Sequence, residues 1–331
     1  MKEQIGANLG SSYVNKSVLA ALVLSALLAL APQAARAQSQ SPNPAQIALL
    51  HWYPANEVTT FSMPSYPYSA TFDGANIWVT SLTGNTITKL RVNDGTTLGT
   101  YNVGTEPVGA AFDGANIWVA NYGSNNVTKV RASDGTVLGT FSVQSLPEYI
   151  AFDGTSIWVT NAGSNTVTKL STSGSVIGNY AVGSGPLGIL FDGTYIWVAN
   201  SGANTVTKLT TSGSQLGTFN VGSNPVGMAF DGSNIYVVNE FSYTVSILNA
   251  ATGSLEATAA VGSQPLGIAF DGAHMWVTNG GSNTVTKFSY STSSGVTILG
   301  TYPVGRFPIA VSFDGANIWV ANLYGGTVSK L

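Results

Sequence analysis

Ten residues, FDGANIWVAN, occupy Phe112–Asn121 and return unchanged at Phe313–Asn322. Close variants begin at Phe72, Phe152, Phe191, Phe230 and Phe270, so seven copies lie 39 to 43 residues apart. A period of that length describes a chain that repeats one small unit, too small to bury its apolar face alone. In the second unit, Val108–Phe112 runs into the turn Asp-Gly-Ala, and Ile117–Asn121 follows it. Asn126–Val130 and Thr136–Val143 come next, each set off by Gly, Asp, Asn and Ser. These runs are rich in Val, Ile, Thr, Trp and Phe and show no helical spacing, so they read as strands. Four short antiparallel strands in about 40 residues make one blade of a β-propeller.

The two ends of the repeat are complementary. The last unit stops at Gly325–Leu331, its third strand, while Val58–Met63 aligns with a fourth strand that has no first three. The expected fold is all-β, a seven-bladed propeller of four-stranded antiparallel blades over residues 57–331. The N-terminal strand completes the last blade and closes the ring, which removes an aggregation-prone edge.

Repeated positions read as architecture. Asp-Gly forms a tight hairpin after each Phe. Trp78, Trp118, Trp158, Trp197, Trp276 and Trp319 share one position, and Tyr236 takes it in the fifth blade. A large ring there fills the gap between twisted sheets, and its burial contributes on the order of 2–3 kcal/mol. A Pro stands five residues before each Phe, at the start of the inner strand where no ladder N–H is needed. Gly109, Gly188, Gly227 and Gly267 follow where inner strands crowd the axis. Lysines recur in the third strand at positions 89, 129, 169, 208, 287 and 330. They are expected to lay their stems on apolar surface with the amines in water.

Charged residues make up 8% of the chain, against roughly 25% in an average domain. The formal charge of −3 carries no basic stripe, and no nucleic-acid partner is expected. Residues 1–37 read as a signal peptide. Lys2 and Lys16 precede the apolar run Ser17–Leu30, and Ala35–Ala37 offers a cleavage site after Ala37. The expected location is therefore periplasmic or extracellular, with no membrane span after cleavage. Residues 38–56 read as a linker or N-terminal extension. The chain has no Cys, which excludes disulfides and thiol chemistry.

Ile235–Gly272, with the strand YVVN, resembles the YVTN class of propeller repeat. IWVANYGSNNVTKV at Ile117–Val130 is similar to NHL-type repeats and to those of the streptogramin lyases, such as virginiamycin B lyase. The resemblance covers about 57–331. It implies a propeller, and it admits both exported proteins without chemistry and magnesium-dependent lyases that open lactone rings. In those lyases a His general base works beside Glu-rich metal ligation on one face. Here the only histidines are His51, ahead of the ring, and His274, beside a hairpin on the opposite face, so no catalytic position is carried over.

The strand order places the loops between blades, and those between second and third strands, on one face, the top. Residues that break the repeat there are the candidates for recognition. In the inter-blade loops they are Tyr66, Tyr68, Glu106, Glu148, Tyr149, Arg306 and Phe307. In the second set they are Tyr122, Glu240, Phe241, Tyr243, Leu323 and Tyr324. Aromatic and carboxylate groups facing one funnel suit a small polar ligand, a peptide or a protein. Ordinary drift after duplication is the competing explanation. Glu106, Glu148 and Glu240 are also oxygen donors of the kind that hold Mg²⁺ or Ca²⁺, though no cofactor is expected. The favoured function is a non-catalytic binding scaffold; the alternative is a metal-dependent lyase or lactonase of the virginiamycin B lyase kind.

Overall fold

The computed structural model describes residues 58–63 and 65–331. The signal-peptide, linker and His51 assignments lie outside the described residues. Among the described residues, 28 strands form seven four-stranded antiparallel sheets and no helix occurs. Blade 1 comprises Pro67–Phe72, Asn76–Ser81, Thr86–Arg91 and Thr97–Asn102, ordered from axis to rim. Five more blades repeat this order up to Pro303. Blade 7 comprises Pro308–Phe313, Ile318–Asn322 and Thr327–Lys330. Its outer strand is Thr59–Ser62, with Thr59 opposite Lys330 and Ser62 opposite Thr327. The junction of blades 7 and 1 also has its own core, where Trp319 and Val328 pack with Ile77, Val79 and Leu90.

Adjacent blades are held by a repeated set of contacts built on the Asp-Gly turn. One carboxylate oxygen of Asp113 accepts the backbone N–H groups of Ala115 and Asn116 at 2.9 and 2.6 Å. The other accepts the Trp118 indole N–H at 2.7 Å. The turn aspartate thus shapes the hairpin and satisfies the one polar atom of a buried indole. Asp73, Asp153, Asp192, Asp271 and Asp314 do the same for their own Trp at 2.7–2.8 Å. Five of the six indoles lie against a ring from an outer strand of the same blade at 5.5–5.7 Å; for Trp319 the ring is Phe61, from the N-terminal strand.

The lysines depart from the sequence-based expectation. Their amines do not project into water. Lys89, Lys129, Lys169 and Lys208 each donate to a backbone carbonyl of the following blade, at Ala132, Thr172, Thr211 and Ala250, over 2.6–2.7 Å. Lys330 reaches Val92 O at 2.6 Å, joining the last blade to the first. Each ammonium also lies 4.7–5.3 Å from the centre of its own blade's indole. A third-strand carbonyl end left open at the next blade supplies the acceptor, and the indole face supplies a second attraction. These are clasps between blades.

Blade 5 replaces the whole set together. Tyr236 takes the Trp position and donates its hydroxyl to Asp231 at 2.7 Å. Ile247 stands where the Lys would be, and Ala259 where the outer-strand ring would be. Phe288 of blade 6 fills the volume, its ring 6.0 Å from Tyr236. Volume is conserved although every member has changed.

Candidate functional site

The two loop sets meet on one face. The N–H groups of Tyr122, Glu240 and Leu323 donate to the carbonyls of Glu106, Asn224 and Phe307 at 2.9–3.0 Å. The residue ahead of the inner-strand Pro takes left-handed backbone, φ 44° at Tyr66, 52° at Glu106 and 54° at Phe307. That conformation suits Asn and Gly better than these residues. It persists because the preceding blade grips the loop: Asn85 Oδ1 accepts the Glu106 N–H at 2.9 Å, and Asn283 Oδ1 accepts that of Phe307 at 2.8 Å.

On the rim, Tyr324 lies 4.7 Å from Phe307 and meets Tyr66 edge-on at 6.1 Å. The Arg306 guanidinium stands 5.8 Å from the Tyr324 ring centre. Tyr66 and Tyr324 remain exposed. The four form one aromatic and cationic patch across blades 7 and 1.

Deeper, the inner strand makes a throat. In blade 3, Pro147 opposes Asn161 and Ile150 opposes Val159, so Glu148 and Tyr149 together face the single residue Thr160. This is a β-bulge, which re-aims side chains without ending the strand. Thr160 secures it by accepting the Tyr149 N–H at 3.0 Å and donating to Leu187 O of blade 4 at 2.7 Å. The residue after each Pro is Val108, Leu187, Val226, Leu266 or Ile309 in five blades, and these pack at the axis. Tyr68 and Glu148 take that place in the other two. Below them lies an axial cavity of about 140 Å³, lined by Ser69, Gly109, Gly188, Gly227, Gly267 and Tyr149 among others. Gly109 is required there, since a Cβ would stand 2.5 Å from the Glu148 carbonyl oxygen.

The electrostatics show which groups converge. Burial alone pushes the Glu148 carboxyl up to about 7. Glu240 is also raised by burial, against the opposing hydrogen bond from Asn224 Nδ2 at 2.6 Å. Burial raises the Tyr149 hydroxyl, with Glu148 and then Glu240 adding to it. The Tyr68 hydroxyl is raised by burial, then by Tyr149, Glu148, Tyr122 and Glu240. Tyr68, Tyr122, Glu148, Tyr149 and Glu240 therefore form one group.

Other candidates lie apart from it. Glu106 is exposed and folds back over Gly123 of its own blade. Phe241 and Tyr243 project from blade 5, 63% and 48% exposed. His274 sits on the opposite face, its Nδ1 3.5 Å from Asp271. Among the described residues no three His, Cys, Asp or Glu side chains come together at metal-binding spacing. The three glutamates do not form a cage for Mg²⁺ or Ca²⁺. Alignment on the Pro carries the signal that separates Glu148 and Tyr68 from Glu106. The two former follow their Pro and replace members of an apolar ring, while Glu106 precedes its Pro.

No family model matches the sequence, and no curated protein does. Solved structures do. The chain has the fold of the streptogramin lyase propellers. A catalytically inactive virginiamycin B lyase from Staphylococcus aureus with quinupristin superposes with a TM-score of 0.72 at 20% identity, over 83% of this chain and 98% of that one. A streptogramin B lyase gives 0.71 at 20%, over 83% and 96%. A chain of a mitotic checkpoint complex gives 0.73 at 16%, over 82% and 90%. At these identities the likeness is one of fold.

Proposed function

We propose that the protein is an exported propeller that binds a ligand or partner in its top-face funnel and catalyses no reaction on it. The observation that carries this reading is the convergence of Tyr68, Tyr122, Glu148, Tyr149 and Glu240 at the throat, beneath the rim of Tyr66, Arg306, Phe307 and Tyr324. Buried carboxyls stripped of water cost stability, and an architecture indifferent to them would keep the aliphatic residue found in the other blades. Aromatic groups around a few convergent polar ones match the make-up of ligand sites. The signal-like N-terminus supports a periplasmic or extracellular encounter. The partner is a small polar ligand, a peptide or a protein, and one of the structural neighbours belongs to a protein assembly. Nucleic acid does not fit: the lysines are engaged between blades, and Arg306 is the cation of the top face.

A fragment screen by crystal soaking tests this reading, with neutral, cationic and anionic compounds. Occupancy of the funnel is expected, lost when Tyr66, Phe307 and Tyr324 are all changed to Ala in a folded protein. Fragments found only elsewhere would defeat it. The likeness to virginiamycin B lyase favours a second reading, metal-dependent ring opening of a cyclic depsipeptide. Turnover of quinupristin, abolished by EDTA and restored by Mg²⁺, would establish that reading over ours.

A further inference from the structure

Charge is unbalanced at the throat. Glu148 and Glu240 act on the same two tyrosines, and no cation lowers either carboxyl. The nearby positive group of this face, Arg306, is turned to Tyr324. Among the described residues the Glu148 carboxylate and the Tyr68, Tyr122 and Tyr149 hydroxyls have no hydrogen-bond partner. A bulge anchored by Thr160 aims Glu148 and Tyr149 together toward the axis. Buried polar groups are normally paired, and each unpaired one calls for an explanation.

We propose that Tyr68, Glu148, Tyr149 and Glu240 form a receptor for the ammonium group of a primary amine. This rests on the top face being the binding face and goes further by naming the group bound. An ammonium has three N–H donors and no acceptor, which matches two carboxylates and phenol oxygens. The tyrosine rings add cation–π attraction in a site shielded from water. An anion would be repelled by the same pair, and a divalent metal would lack a third protein ligand. The carbon skeleton rests on the aliphatic ring of Val108, Leu187, Val226, Leu266 and Ile309. The amine belongs either to a free small molecule or to a peptide, as a lysine side chain.

Binding requires ionised Glu148, whose carboxyl burial holds up to about 7. The groups facing it are Tyr68, Tyr122, Tyr149 and Glu240, and the tyrosines stay neutral across the range used. Protons therefore compete with the ligand, and affinity falls about tenfold for each pH unit below 7.

The test is calorimetric titration of the intact protein with benzylammonium and with Nα-acetyl-lysine amide, using benzyl alcohol and benzoate as uncharged and anionic counterparts. Saturable binding of a cationic probe is expected, weakened at least about tenfold by Glu148→Gln, and weakened likewise below pH 7. Glu256→Gln, on an exposed outer strand, should leave it unchanged. The tighter of the two cations identifies a free or a peptide-borne amine. Binding of benzyl alcohol or benzoate in the funnel without either cation overturns the ammonium receptor and leaves the top-face reading standing. If none of the four binds, both fall. Cation binding equal in wild type and a folded Glu148→Gln protein also overturns the receptor.

Discussion

The lysine clasps lend themselves to a test with internal controls, because one contact occurs six times with measurable variation. Lys169, Lys208 and Lys330 each combine a carbonyl bond of 2.6–2.7 Å with an indole at 4.7–5.3 Å. Lys287 has the indole at 4.7 Å, but its ammonium approaches only Asp271, at 3.8 Å, and donates to no carbonyl among the described residues. Substitution by Met keeps the apolar stem and removes the charge. A charge-assisted hydrogen bond contributes about 1.5–3 kcal/mol, and a partly exposed cation–π contact about 0.5–1 kcal/mol. Lys169→Met, Lys208→Met and Lys330→Met should each cost about 2–3 kcal/mol, and Lys287→Met about 1 kcal/mol. For a domain of this size that lowers Tm by roughly 4–10 °C in the first three and roughly 2–4 °C in the last. Scanning calorimetry at neutral pH reads the difference. Four equal shifts, or none beyond about 1 °C, would mean that the amines contribute nothing beyond their stems.

Glu148→Gln should change stability in a pH-dependent way. The unfolded chain releases the Glu148 proton near 4.5, and the folded chain holds it to about 7; the folded state binds more protons between those values, so wild-type stability falls as pH rises through them. At about 1.4 kcal/mol per pH unit, the variant should gain about 3 kcal/mol on wild type by pH 8 and nothing near pH 4, and a flat difference in denaturant titrations refutes this. Tyr236→Trp restores the residue of the other six blades yet should destabilise by about 1–3 kcal/mol, because Phe288 already fills the space. Adding Phe288→Leu should recover most of that loss, and simple additivity in the double-mutant cycle would contradict the account. Gly109→Ala should destabilise by about 1–3 kcal/mol, since its Cβ meets the Glu148 carbonyl at 2.5 Å; unchanged thermal stability would show that the inner strands have room.

The blades were legible in the sequence because each packing problem is solved seven times. Phe72, Phe112, Phe152, Phe191, Phe230, Phe270 and Phe313 all end inner strands, and the Pro five residues earlier begins them. The lysine contacts were not legible, because their acceptors lie about 40 residues away in the next blade and repeat identity does not reveal direction. The site was partly legible. Rim residues Tyr66, Arg306, Phe307 and Tyr324 do meet, and Glu148, Tyr149, Tyr122 and Glu240 gather with Tyr68. Glu106 and Glu148 looked equivalent as carboxylates beside a Pro. The bulge and the left-handed residue ahead of it send one outward and the other to the axis. Backbone irregularity of that kind leaves little trace in composition or period.

The functional account turns on whether the throat carries a carboxyl shielded from water. Infrared difference spectroscopy between wild type and Glu148→Gln can follow the carboxylic C=O band of Glu148 directly as pH is raised. A midpoint close to 7 is the expected result. A midpoint near 4.5, the ordinary value for this side chain, would show a water-filled funnel with no built site at its base.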